Sequence, residues 1–166
     1  MIKCFFNQGD AQGLYAGLAD IRMTGKREAD FSMHDCFEMC LNQEQMKTMS
    51  GLSLAYVGDA VYELLVRTWL CAHGKATGKD LHRAAIALVC APEQARRAQR
   101  ILPLLTAEEE TVFKRGRNAA VHAIPKNATT AQYHQATALE CLLGWLYLRG
   151  DTDRVSALFD VMMEED

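Results

Sequence analysis

Apolar residues in this chain recur three and four positions apart and almost nowhere alternate with period two, so the pattern predicts an all-α fold. The clearest helix runs from Ser53 to Ala72, with Gly74 just beyond it as a stop signal. Thr77 with Asp80 three residues on resembles a capping box and opens a helix over "KDLHRAAIALVC". Ala91-Pro92 restarts the chain, because proline suits a first helical turn, and "PEQARRAQRIL" ends before Pro103. Thr106 and Glu109 cap "AEEETVFKRG" in the same way. A long helix, "AQYHQATALECLLGWLYL", stops at Arg149-Gly150, and "DTDRVSALFDVMMEED" forms a last short one.

Two stretches break the pattern. After Gly116, "RNAAVHAIPKNATT" loses its periodicity and Ile124-Pro125 enforces extended backbone, which predicts a loop about a dozen residues long. Loops of that length usually carry function. Residues 1–45 contain glycines, are weakly periodic and lead into a series of methionines. They form either an extra helical element packed on the domain or a poorly ordered leader added by an upstream start codon. The domain proper is taken as residues 46–166.

With 49% hydrophobic residues, 166 positions suffice for one sizeable core. The net charge of −3 conceals an asymmetry: residues 67–126 hold 11 basic and 5 acidic side chains, whereas 127–166 hold 2 and 7. A polyanionic partner is therefore compatible with an acidic chain. No apolar run approaches the ~18 residues of a membrane span, and the start lacks the features of a secretion signal. The expected location is the cytosol, with the six cysteines reduced and acting as small hydrophobes. Cys36 and Cys40 form at most half of a metal site, with no second pair to complete it.

The candidate chemistry starts from carboxylates in the wrong place. Asp59 and Glu63 sit one turn apart inside the apolar segment "LAYVGDAVYELLVRTWL", on a face shared with Leu52 and Tyr56. Glu140 is the one acid of the long C-terminal helix, among small and apolar neighbours that would raise its pKa unless a cation or a donor favours the ionised form. A magnesium ion held between the two helices would compensate Asp59 and Glu140. The alternative is that Asp59 caps or pairs with an arginine and Glu140 bonds a tyrosine. Glu63 either supports the site from behind or pairs with Arg67 at i,i+4.

The second element is "FKRGRNAAVHAIPKN", where Lys114, Arg115, Arg117, Asn118, His122, Lys126 and Asn127 surround a glycine. Cations beside amide side chains and exposed backbone suit phosphate oxygens, which marks these seven as candidate RNA-binding residues. Arg96, Arg97 and Arg100 read as a solvated face. Phosphate-binding and dinucleotide-binding glycine patterns are missing, and the five histidines lack zinc spacing.

"LAYVGDAVYELLVR" resembles the signature helix of the ribonuclease III catalytic domain. "FKRGRNAAVHAIPKNA" and "YHQATALECLLGWLYLRGD" are similar to two further stretches that mark the family's miniature branch, Mini-ribonuclease III. The likeness covers about Met46 to Met162. It implies a ribonuclease III-like helical bundle: a homodimeric, magnesium-dependent endoribonuclease that cuts double-stranded RNA without a separate double-stranded-RNA-binding domain. It further implies 5′-phosphate ends and a role in maturing large-subunit (23S) ribosomal RNA, with a ribosomal protein as a further candidate partner presenting the RNA. By match to the motifs, Asp59 and Glu140 are the catalytic, metal-binding acids. Larger relatives carry further acids where this chain has Leu52, Ala55 and Thr137, which leaves the number of metal ions open.

Two other functions are compatible with parts of the pattern. One is a non-catalytic double-stranded-RNA or ribosome-binding module of the same fold, which would not need a buried acid pair. The other is an all-α magnesium nucleotide pyrophosphohydrolase, which would draw its glutamates from the trio Glu108–Glu110, expected in a solvent-facing first turn.

Overall fold

The computed structural model describes residues 40–73, 77–120 and 127–164. The chain divides into two compact units, Met1–Glu38 and Met39–Asp166. The first lies outside the described residues, as does most of the segment 1–45 read as an extension or leader. The second starts before position 46: the Leu41 amide donates to the Leu148 carbonyl at 2.7 Å, so residues 40–45 belong with the helical unit.

Among the described residues the secondary structure is seven α-helices and one 3-10 turn. They are α1 (Gln43–Thr48), α2 (Gly51–His73), α3 (Gly78–Val89), α4 (Ala91–Ile101), the turn Leu102–Leu104, α5 (Ala107–Arg117), α6 (Thr130–Leu148) and α7 (Thr152–Met163). The all-α expectation holds, and most helix starts have a local cause. Thr106 and Thr129 form full capping boxes with Glu109 and Gln132. Thr77 accepts from the Asp80 amide, but the shorter Asp80 side chain meets the threonine hydroxyl instead of the backbone N–H. Helix α2 begins two residues earlier than its pattern predicts, because the Ser50 hydroxyl accepts from the Ser53 amide and serves as the cap. Residues 118–129 lie between α5 and α6, and the central part of the expected loop, 121–126 with Ile124-Pro125, lies outside the described residues.

Helix α6 is the axis of the bundle. It is buried continuously from Ala136 to Leu146, and α2, α4, α5 and α7 pack around it. A helix apolar on every side belongs in a core. Two glycines let α2 and α6 touch at the backbone: a Cβ on Gly58 would lie 1.7 Å from the Glu140 carbonyl oxygen, and one on Gly144 would lie 2.0 Å from that of Leu54. Tyr62, fully buried on α2, donates its hydroxyl to the Leu88 carbonyl and ties α3 to the same helix.

Charged residues that read as solvated surface prove structural. Arg97 is buried, pairs with Glu93 at 2.7 Å and donates to the Met162 carbonyl, and Arg100 donates to the Glu164 carbonyl, so the two guanidiniums cap the C-terminal end of α7. Glu109 turns inward to Arg154 at 2.8 Å, while Glu108 and Glu110 pair with Arg149 and Lys114. The glutamate trio of α5 is thus committed to helix capping and ion pairs, not gathered as a metal site.

Candidate active site

Asp59 follows Gly58 directly, so the backbone crossing of α2 and α6 sets it against the turn of α6 that carries Glu140. Asp59 is half-buried and Glu140 is buried at 5% exposure. Burial pushes the Glu140 carboxyl up to about 7, and the neighbouring charge of Asp59 pushes the same way. The structure therefore brings together the two acids that the sequence singles out from opposite parts of the chain. Glu63 engages Arg67, its carboxylate accepting from the guanidinium Nε at 2.8 Å.

Two side chains at this site have no signal in the sequence. Tyr133 lies one turn before Thr137 and two turns before Glu140 on α6. Burial pushes its phenol up, and the charges of Glu140 and Asp59 add to the shift. Gln94, reaching in from α4, places its amide beside Glu140. Nothing in local spacing links either residue to Asp59; the link exists only once the three helices α2, α4 and α6 are packed. Of the positions where larger relatives carry acids, Leu52 is exposed, Ala55 is buried and Thr137 is buried against Tyr133.

The candidate RNA-contacting residues divide into groups. Arg117 and Asn118 end α5 exposed to solvent, and Asn127 is exposed at the far side of the loop. Lys114 pairs with Glu110 at 2.7 Å. Arg115 packs against Gly51 at the start of α2 and lines a pocket with Trp145, Arg149 and Lys47. Eight residues separate Gly51 from Asp59, about 12 Å along the helix. Three cations in the last turn of α5 also complement the negative end of the helix dipole. His122 and Lys126 lie outside the described residues.

Gly116 explains how the basic turn is held: a Cβ there would meet that of Cys141 at 2.4 Å, so α5 also touches α6 almost at backbone distance. Burial pushes the Cys141 thiol up to about 11, as suits a small hydrophobe and not a nucleophile. Cys40, Cys71, Cys90 and Cys141 are all free, while Cys36 lies outside the described residues. Among the described residues no helix is long and apolar enough to cross a membrane.

Comparison with known proteins agrees with this geometry. The ribonuclease III domain family matches residues 52–151, from the second residue of α2 to just past α6. A Mini-ribonuclease 3 of Symbiobacterium thermophilum is 45% identical over 109 residues, covering 66% of this chain and 84% of that one. A Mini-ribonuclease 3 of Enterococcus faecalis is 43% identical, covering 69% of this chain and 88% of its own. A crystal structure of a Fusobacterium nucleatum protein superposes with a TM-score of 0.66 at 28% identity, over 72% of this chain and 95% of that one. Similarity of this strength, over most of each relative's length, makes the chain a member of the ribonuclease III family in its Mini-ribonuclease III branch, and hence an endoribonuclease.

Proposed function

We propose that this endoribonuclease hydrolyses double-stranded RNA at Asp59 and Glu140 with a bound magnesium ion. The approach of Asp59 to Glu140 carries the assignment: two carboxylates brought side by side at a buried position from opposite parts of the chain repel each other, and a divalent cation between them turns that repulsion into a binding site. Among the described residues no group of three or more His, Cys, Asp and Glu side chains gathers as a metal cage. Two carboxylates fit magnesium, which commonly takes one or two protein carboxylates and keeps several waters. When bound, the cation supplies a water of lowered pKa and positive charge next to the scissile phosphate.

The chain's own residues do the rest. The glycine-locked crossing of α2 and α6 fixes the spacing of the two carboxylates, and burial of Glu140 keeps its surroundings poor in water, where electrostatic contacts are strongest. Arg117, Asn118 and Asn127, with Lys114, Arg115, His122 and Lys126, supply donors for phosphates and 2′-hydroxyls. These are the features of an A-form duplex that a protein can reach, so sequence preference should be modest. Attack by water on the phosphodiester leaves a 5′-phosphate and a 3′-hydroxyl.

A homodimer fits the surface of α2, where Leu52 and Tyr56, on the face that carries Asp59, are 44% and 66% exposed and Leu64, farther round the helix, is 57% exposed. A two-fold axis there would set two sites on opposite RNA strands and produce a staggered double cut. Within that scheme the protein acts in the cytoplasm on precursor 23S ribosomal RNA, with a ribosomal protein presenting the substrate.

Incubating the protein with duplex and with single-stranded RNA, in magnesium and in chelator, tests the assignment. Cleavage of the duplex alone, abolished by the chelator and restored by magnesium, is the expected result. Chelator-insensitive cutting, or equal cutting of single strands, would refute it.

A further inference from the structure

Gln94 is fully buried on α4, at 0% exposure, with its amide close enough to Glu140 to act on that carboxyl, yet among the described residues neither its nitrogen nor its oxygen reaches full hydrogen-bond geometry with any protein group. Each polar group sealed away in that manner costs about 1–3 kcal/mol. The rest of the buried face of α4 is built from Ala91, Ala95, Ala98 and Ile101, plus Arg97, whose guanidinium is held by Glu93 and the end of α7. Packing alone would be served better at position 94 by leucine or methionine, which fill similar volume with no polar atoms to satisfy. The amide is instead kept beside Glu140.

A glutamine amide is planar, with donors on one side and an acceptor on the other, so it can address two different partners at once. Beside a carboxylate, Nε2 is the half that fits the acid, since an ionised carboxylate only accepts. That leaves Oε1, a hard oxygen, for a donor that none of the described residues supplies. The water shell of a divalent cation is such a donor, because a hard cation polarises its waters and takes oxygen partners.

We propose that Gln94 is a positioning residue for the metal site: its Nε2–H holds the Glu140 carboxylate in the orientation that meets Asp59, and its Oε1 accepts from a cation-bound water. This rests on Asp59 and Glu140 holding a divalent cation. Outer partners of this kind typically contribute 10–100-fold in metal affinity. The site thereby gains a third oxygen contact without a third charge, in a place where a further carboxylate would add to the repulsion between Asp59 and Glu140.

The test titrates the full chain with Mn2+, following free ion by its EPR signal, and measures thermal unfolding without metal. Gln94→Leu and Gln94→Met are compared with wild type and with Asp59→Asn. Both Gln94 variants should bind Mn2+ 10–100-fold more weakly while their metal-free unfolding temperature stays at or above that of wild type. A core-packing role gives the opposite: lower metal-free stability with Mn2+ affinity unchanged. Affinity within twofold of wild type in either variant, or loss of the metal-free fold in both, overturns the proposal. Asp59→Asn separates the two levels: if it binds Mn2+ as wild type does, the metal site itself is misassigned. If Asp59→Asn loses binding while the Gln94 variants keep it, only the role of Gln94 fails.

Discussion

Gly58 of α2 rests on the carbonyl oxygen of Glu140 so closely that a Cβ at position 58 would stand 1.7 Å from it. That contact is reinforced one turn away, where a Cβ on Gly144 would stand 2.0 Å from the Leu54 carbonyl. Both clashes are with backbone, which no rotamer change relieves. Gly58→Ala should therefore push α2 off α6, costing about 3–5 kcal/mol, at the upper end of single-residue effects. Gly78→Ala is the contrast. Nothing lies within 4 Å of a Cβ there, so alanine at this first position of α3 should be neutral or gain up to about 1 kcal/mol. Urea unfolding of the two variants checks both; equal effects would mean that the crossing is not as tight as drawn.

The same two glycines show which parts of the molecule are legible in the sequence. Helix starts at Thr106 and Thr77 are visible because capping joins residues three apart, and the end of α5 near Arg117 is visible because the loss of periodicity after Gly116 is a local fact. Asp59 and Glu140 stand out because acids inside apolar helices are anomalous in themselves. Depth has no local signature. Arg97 and Glu109 look like surface charges and are buried, while Gly58 and Gly144 look like weak helix formers and are the points of closest approach. Gln94 and Tyr133 join the site only through packing between helices that are distant in the chain.

Asp59→Asn and Glu140→Gln each keep the size of the side chain and remove the charge. If both acids hold the catalytic cation, each variant should lose at least about a hundredfold in duplex cleavage, the order seen when one electrostatic contribution to a transition state is deleted. RNA binding should change little, since phosphate contacts come from the α5 end and its loop. Glu140→Gln should also keep its metal-free stability, because an amide escapes the cost of ionising in a buried position. Single-turnover cleavage together with filter binding separates the two effects. Either variant cutting at the wild-type rate would rule out the assigned residue.

Arg117→Ala addresses binding alone. Arg117 is exposed at the end of α5, and a cation that neutralises one phosphate releases about one counterion. Affinity for duplex RNA should fall at low salt, and the slope of log affinity against log salt should become shallower by about 1. The cleavage rate of saturated enzyme should stay near that of wild type. A lower saturated rate at unchanged affinity would instead place Arg117 in the chemistry.

Glu109 and Arg154 join the start of α5 to α7, with Nε to Oε1 at 2.8 Å and Nη2 to Oε2 at 3.0 Å, while the same carboxylate accepts from the Thr106 amide. The Arg154 guanidinium holds the Glu109 carboxyl below its ordinary 4.5, against the opposing effect of burial. A carboxyl whose pKa is depressed on folding stabilises the fold fully above its unfolded pKa, and that stabilisation is lost as pH falls through the folded value. Glu109→Gln should therefore cost about 2 kcal/mol at pH 7, less than a fully enclosed pair because Arg154 is partly exposed. The gap to wild type should narrow steadily below pH 4.5, so the acid limb of the stability curve is shallower in the variant. Urea unfolding at a series of pH values from 7 down to about 3 measures that convergence. A gap that stays constant across the series would show that the ion pair contributes through packing and not through charge.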